Sequence, residues 1–463
     1  MNKDVNLSEL TQDGIASAYE LLNSAIVSYE GREVGTIASN DANAPAENYS
    51  ECFVRDFVPS AIVFLLDGRT EIVRNFLQLI LRVRDMQEEL AGHHNLPRVM
   101  PASFRVNIKD GKEVLKADFG DRAIGRVAPV DSMMWWIILL DFYVRITDDW
   151  EFAHSPECQR GIRMIMGICL RDRFEVFPTL LVPDASFMID RRMGVFGHPL
   201  EIQSLFFASL RCAQTLLVAG TENEPILEMI SQRKNKLVTY VHNYYWLDAA
   251  RLNEIHRFEN ELFGKENSNA FNIYPESIPD WVAEWLPEDG GYLVGNLSPG
   301  RLDVRFFSFG NLLAILFGLA SKDQAARILD VFEMRWPDLI GMMPLKICYP
   351  AMQGTEWHLM TGSDPKNTPW SYHNGGNWPS LLWTFVSACL NLDRKDLALR
   401  AMDIAYHRLP GDQWPEYYDG RSGRLVGRRA NYHQVWSASS LIICKKLVED
   451  PSLLSKLGMT PAT

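Results

Sequence analysis

Two acidic residues stand in loops whose composition suits proton transfer. Asp190 lies in residues 187–211, FMIDRRMGVFGHPLEIQSLFFASLR, just behind the apolar triplet Phe187-Met188-Ile189 and just ahead of Arg191 and Arg192. A bend containing Gly194 and Gly197 follows, and Pro199 opens a segment with apolar residues at helical spacing. Glu416 lies in residues 411–423, GDQWPEYYDGRSG, an aromatic loop bounded by Pro and Gly between helical patterns at 397–406 and 432–447. Two carboxylates in such loops, with Trp and Tyr around them, point to a carbohydrate-processing pocket, because a glycosidic bond is commonly cut by a carboxyl pair. Each acid also fits a plainer role, Asp190 as a salt-bridged structural residue and Glu416 as a surface-loop acid.

Further polar groups cluster in motifs of the same kind. Arg55 and Asp56 form a charged pair in FVRDFVP, suited either to a structural ion pair at a helix start or to binding vicinal hydroxyls. Arg126 and Asp131 flank VAPV ahead of a very apolar helix and carry the same ambiguity. In YHNGGNWP, His373, Asn374 and Trp378 combine donors, acceptors and an aromatic face beside two glycines, which fits sugar binding and equally an N-terminal cap cluster. Beside Glu416, a tyrosine hydroxyl such as that of Tyr417 would orient the carboxylate.

Helices must position these loops. Apolar residues recur three or four apart at 11–29, with Gly31 as a stop, and at 70–89, where Ile72, Phe76, Ile80 and Val83 make one stripe and Thr70 is a candidate N-cap. Residues 132–146 are apolar almost all round and should be buried. Further helical patterns cover 154–170, 200–219, 225–247 with a break expected near Asn235, 304–319, 323–334, 378–390, 397–406 and 432–447. The connections at 34–48, 96–131, 253–302 and 336–377 read as irregular, the second with a charged turn at Asp110-Gly111. Roughly a dozen helical segments in consecutive pairs, with few stretches alternating at period two, predict an all-α fold.

Composition narrows the chemistry. A formal charge of −12 argues against a surface that tracks a nucleic-acid backbone. No apolar run reaches the roughly 18 residues of a membrane span, and the N terminus has no apolar signal region. The seven cysteines form no CxxC pair and mostly sit in apolar helical segments, which fits buried thiols in a reducing, cytoplasmic setting rather than disulfides or zinc. The ten histidines are scattered, so no metal and no cofactor is expected.

The blocks FVRDFVPSA, VMPASF, GRVAPVDSMMWW, FPTLLVPDASFMIDRRMGVFGHPLEIQSLFF, SYHNGGNWP and DQWPEYYDGRSGRLVGRRANYHQVWS resemble the neutral/alkaline invertases, glycoside hydrolase family 100, of plants and cyanobacteria. The resemblance runs over about residues 49–447. It implies an (α/α)6 barrel in a single catalytic domain, with residues 1–45 a less defined helical segment, and hydrolysis of sucrose to glucose and fructose with inversion. It places the general acid at Asp190 and the general base at Glu416, with Asp56 lining the sugar site, and implies activity inside cells near neutral pH. Lacking a long N-terminal extension, the chain resembles the shorter cyanobacterial form. The rival readings are another helical-toroid glycosidase, acting on trehalose or an α-glucan, and a carbohydrate-binding toroid without chemistry. Oligomeric state is open, a homo-oligomer included.

Overall fold

The computed structural model describes residues 12–41, 47–90, 100–120, 128–171, 177–182, 185–189, 191–195, 197–261, 273, 275–298 and 301–459. Among the described residues, twelve helices form two concentric rings. In chain order they are α1 (Gln12–Ser24), α2 (Val54–Leu66), α3 (Thr70–Leu90), α4 (Asp131–Thr147), α5 (Pro156–Cys169), α6 (Leu200–Leu216), α7 (Glu224–Tyr240), α8 (Ser308–Leu316), α9 (Lys322–Met334), α10 (Leu382–Asn391), α11 (Lys395–Arg408) and α12 (Val435–Glu449). The even-numbered helices touch in the closed order α2, α4, α6, α8, α10, α12 and back to α2, while each odd-numbered helix packs on the outside of this ring. This is an (α/α)6 barrel.

Sequence explains which helix goes where. Inner helices are screened on every side, and accordingly α4 is buried continuously from Asp131 to Val144. Outer helices keep one wet face: in α5 the buried positions are Cys158, Gln159, Gly161, Ile162, Ile165, Met166 and Cys169, a stripe at helical spacing. Small and hydroxyl residues let the inner helices approach one another. Ser60 of α2 meets Ser439 of α12 at 3.0 Å, and Ser204 of α6 donates to the Gly310 carbonyl of α8 at 3.0 Å. A Cβ on Gly310 would stand 3.0 Å from the Glu201 backbone nitrogen, so glycine suits this close crossing. Ser321 caps α9 in a reciprocal box with Gln324, a device that contributes about 1 kcal/mol.

Several expectations need correction. The first helix stops at Ser24, and Ile26–Tyr29 forms a strand paired with Arg32–Thr36 about a turn at Glu30-Gly31, so Gly31 is a hairpin residue. Residues 96–131 are not simply irregular: Ser103–Lys109 and Lys112–Asp118 make a hairpin closed by Asp110 and Gly111, both at positive φ. Helix α7 passes through Asn235 unbroken, then gives way to a wider π turn at Val241–Tyr245 and a strand at Trp246–Asp248. The 253–302 region holds the Ala249–Glu261 helix in part and the Asp280–Trp285 helix, and 336–377 holds the Gly354–Thr361 helix.

Because the chain alternates outer and inner helices, all six inner helices run the same way and their N-termini gather at one end. The loops entering them are stitched together there by backbone bonds: Val435 N–H to the Ala38 carbonyl at 3.1 Å, Leu200 to Gly295 at 2.9 Å, Ser308 to Ile347 at 3.1 Å, and Asn377 to Tyr418 in both directions at 2.9 and 2.7 Å. Asp56, Asp131 and Glu201 occupy the first turns of α2, α4 and α6. The motifs singled out in the sequence lie largely in these loops and first turns.

Candidate active site

Glu416 is buried, with its carboxylate held from three sides. The Tyr49 hydroxyl donates to Oε1 at 2.5 Å. Asn431 donates to Oε2 through its side-chain amide at 3.1 Å and its backbone N–H at 3.3 Å, and the Glu416 N–H returns a bond to the Asn431 carbonyl at 2.8 Å. The Lys366 ammonium stands 3.8 Å from Oε2 and 3.7 Å from the centroid of the Tyr372 ring. Burial and the adjacent Glu416 charge push the Tyr49 phenol well above its ordinary range, so it stays a donor.

The loops behind Glu416 are strained. Trp370, Tyr372, Gln413 and Trp414 all have positive φ, a conformation that costs a non-glycine residue about 1–2 kcal/mol. Gly420 lets the two loops touch, since a Cβ there would collide with the Gly375 carbonyl. Lys346 joins them from behind: its buried ammonium donates to Asn377 Oδ1 at 3.1 Å and to the Gly420 carbonyl, and sits 5.2 Å from the Trp370 ring centroid. Burial lowers the Lys346 pKa to about 8.

A carboxylate cluster adjoins Glu416. Arg55 Nη1 donates to Asp131 Oδ2 at 2.6 Å, and Arg55 Nε lies 3.5 Å from Asp56 Oδ1 without hydrogen-bond geometry. Burial pushes Asp56 up to about 6; Arg55 opposes this, while Asp131 and Glu416 add to it. Burial, with Asp131, pushes Glu201 up to about 8. Arg55 remains charged because its two carboxylate neighbours outweigh its burial. Among the described residues, Arg55 Nε, Asp56 Oδ1, Glu201 Oε2, Asn431 Oδ1 and Trp436 Nε1 are buried without a hydrogen-bond partner. Buried polar atoms are rarely left so.

Asp190 and Arg126 lie outside the described residues, and the chain around Asp190 is anchored on both sides. Phe187, Met188 and Ile189 are buried, with the Met188 N–H donating to Glu201 Oε1 at 3.0 Å. Arg192 pairs with Asp364 at 2.6 Å. Asp364 in turn accepts the N–H groups of Lys366 at 2.7 Å and Asn367 at 3.3 Å, which leads directly to the Glu416 shell.

The sequence profile described as "Alkaline and neutral invertase" matches residues 18–451. The chain belongs to the alkaline and neutral invertase family. It is 49% identical over 449 residues to "Neutral/alkaline invertase 1, mitochondrial" of Oryza sativa subsp. japonica, covering 95% of this chain and 72% of the relative. It is 48% identical to "Cytosolic invertase 1" of the same organism, covering 96% and 80%. "Alkaline/neutral invertase C, mitochondrial" of Arabidopsis thaliana is 47% identical, covering 95% and 68%. Among solved structures, a wild-type glycosidase superposes with a TM-score of 0.56 at 13% identity over the whole of both chains. A bacterial glucoamylase bound to acarbose gives 0.54 at 14% identity, covering 96% of this chain and 56% of that one. At such identities the likeness extends to the fold alone.

In this invertase-family chain the remaining sequence-selected residues take distinct places. Arg55, Asp56 and Asp131 come together at the site. Asn374 is fully buried, bridging the Met352 and Asn367 carbonyls and accepting the Met352 N–H. Trp378 donates to the Tyr372 carbonyl at 3.1 Å and stacks on Tyr417 and His373. The Tyr417 hydroxyl bonds the Arg428 carbonyl and Ser371, not Glu416; Tyr49 is the phenol that meets the Glu416 carboxylate. Tyr49, Lys366, Asn431, Glu201 and Asp364 were not selected from sequence. Tyr49, Glu201 and Asn431 fall in or beside the recognisable blocks, but nothing local marks their pairing across the chain. Replacing Tyr49 with Phe should lower kcat about ten- to a hundredfold with the fold intact, because a hydrogen bond to a charged group contributes about 1.5–3 kcal/mol. Unchanged steady-state turnover would show that Tyr49 does not orient the base.

Proposed function

We propose that this chain hydrolyses sucrose to glucose and fructose with inversion at the glucosyl anomeric carbon, Asp190 acting as general acid and Glu416 as general base. Asp190 gives its proton to the bridging oxygen as the C1–O bond breaks and fructose leaves. Water adds to C1 from the opposite face, and Glu416 takes its proton. The observation that carries this reading is the Glu416 shell: a buried carboxylate fixed by Tyr49 and Asn431, with the Lys366 ammonium beside it. Arg55, Asp56 and Asp131 offer charged partners for glucosyl hydroxyls next to that base. Arg126, His373, Asn374, Trp378 and Tyr417 complete the substrate-binding set, the last three chiefly by holding the loops that present it.

Nothing in this proton transfer requires a metal or cofactor. A cytoplasmic setting is supported by seven free, buried cysteines, although the relatives carry cytosolic, mitochondrial and chloroplastic names. Incubation with sucrose, raffinose, trehalose and maltose tests the assignment. Glucose release from sucrose alone is expected, since raffinose has a substituted glucosyl unit. Faster release from trehalose or maltose would assign the barrel to another α-glucoside, and binding without release would make it a lectin-like toroid.

A further inference from the structure

Two carboxyl groups outside the proposed acid–base pair hold the chain on either side of Asp190. Glu201, buried in the first turn of α6, accepts the N–H of Met188, two residues before Asp190, at 3.0 Å. Asp364, also buried, pairs with the guanidinium of Arg192, two residues after it, at 2.6 Å. We propose that Glu201 and Asp364 are positioning residues that clamp the acid loop at these two points, an inference that rests on Asp190 being the general acid.

The two clamps differ in reach. Glu201 makes its one described hydrogen bond to Met188: the charged groups around it are Asp131 from α4 and Arg55 from α2, and Arg55 is already engaged by Asp131 and Asp56. With burial raising its pKa to about 8, Glu201 is a neutral carboxylic acid near pH 7, so it holds Met188 without adding a fourth charge to the cluster. Asp364 reaches both sides, because the oxygen that accepts the Lys366 and Asn367 N–H groups belongs to the same carboxylate that pairs with Arg192. Loosening Glu201 or Arg192 therefore disturbs proton delivery to the leaving oxygen and leaves the water-activating side in place.

The test uses a substrate that needs no acid. In α-glucosyl fluoride the C1–F bond breaks with fluoride leaving as the anion, while water adds to C1 and Glu416 takes its proton, so the acid is bypassed. For Glu201→Ala and Arg192→Gln we expect kcat on sucrose to fall about ten- to a hundredfold, the scale of a misplaced catalytic group, with hydrolysis of α-glucosyl fluoride kept within about threefold. Glu201→Gln retains an oxygen for the Met188 N–H and should restore sucrose turnover. Arg192 is partly exposed, with 47% of its side chain accessible, so its variant reads the clamp even if Glu201→Ala fails to fold. Equal losses on both substrates, or no loss on sucrose, would overturn the clamp while the wild-type enzyme still cleaves sucrose. A wild-type enzyme inactive on sucrose would overturn the functional reading, and the clamp with it.

Discussion

Asp190→Asn and Glu416→Gln should each lower kcat on sucrose by at least about a thousandfold, within the roughly 10²- to 10⁴-fold typical of general acid–base catalysis. The surroundings of Glu416 show why the second substitution removes chemistry without removing structure. Oε2 receives two donors from Asn431, so the glutamine oxygen belongs there. The glutamine NH2 then meets the Tyr49 hydroxyl, which can turn from donor to acceptor. The amide thus fits the existing pocket but cannot take a proton from water. Glucose release by the purified variants, with circular dichroism to establish folding, checks both assignments. Turnover near wild type in either folded variant would reject that residue's role.

Arg55→Met should cost about 3–5 kcal/mol of stability, the usual result of stranding buried charge. Arg55 is the cation shared by Asp131 and Asp56, with side-chain exposures of 17%, 2% and 14%. The cost should also depend on pH. Asp56 is raised from 3.8 to about 6 and Glu201 from 4.5 to about 8, so between roughly pH 4 and 8 the native state holds protons that the unfolded chain has released. Their contribution to stability is fully present below the unfolded values and is lost as pH rises through the folded ones. Without Arg55 both carboxyls rise further, and the loss steepens. Denaturant midpoints at pH 5 and pH 8 should therefore show the larger gap between wild type and variant at pH 8. A gap below about 1 kcal/mol, or one independent of pH, would show that Arg55 does not hold the cluster together.

The all-α class was legible because burial writes itself into composition, whereas the closed ring was implied only by the family resemblance. A segment such as MMWWIILLDFYV has no wet face and must be an inner helix, whereas the striped pattern of α3 marks an outer one. The 103–118 hairpin, read as irregular from sequence, carries a short local signal: Phe104, Val106 and Ile108 alternate with Arg105, Asn107 and Lys109 ahead of Asp110-Gly111, within a long connection otherwise rich in charges. The site was legible only by residue type. Tyr49 meets Glu416 across 367 positions, and Arg192 meets Asp364 between loops distant in sequence, contacts that exist only once the ring closes. The type of Trp378 suited a sugar platform and that of Tyr417 a hydroxyl partner for Glu416, but only packing reveals that their rings face each other and the protein interior.

The account turns on Glu416 activating water rather than attacking carbon, and the anomer of the first glucose released decides this. Sucrose is an α-glucoside, so water attacking the face opposite the leaving fructose must give β-glucose, whereas a glycosyl-enzyme intermediate would preserve the α configuration. Time-resolved proton NMR, recorded before mutarotation mixes the two forms, reads the anomeric signals directly. β-Glucose first is the predicted result; α-glucose first would contradict the roles given to Asp190 and Glu416 even if both residues proved essential.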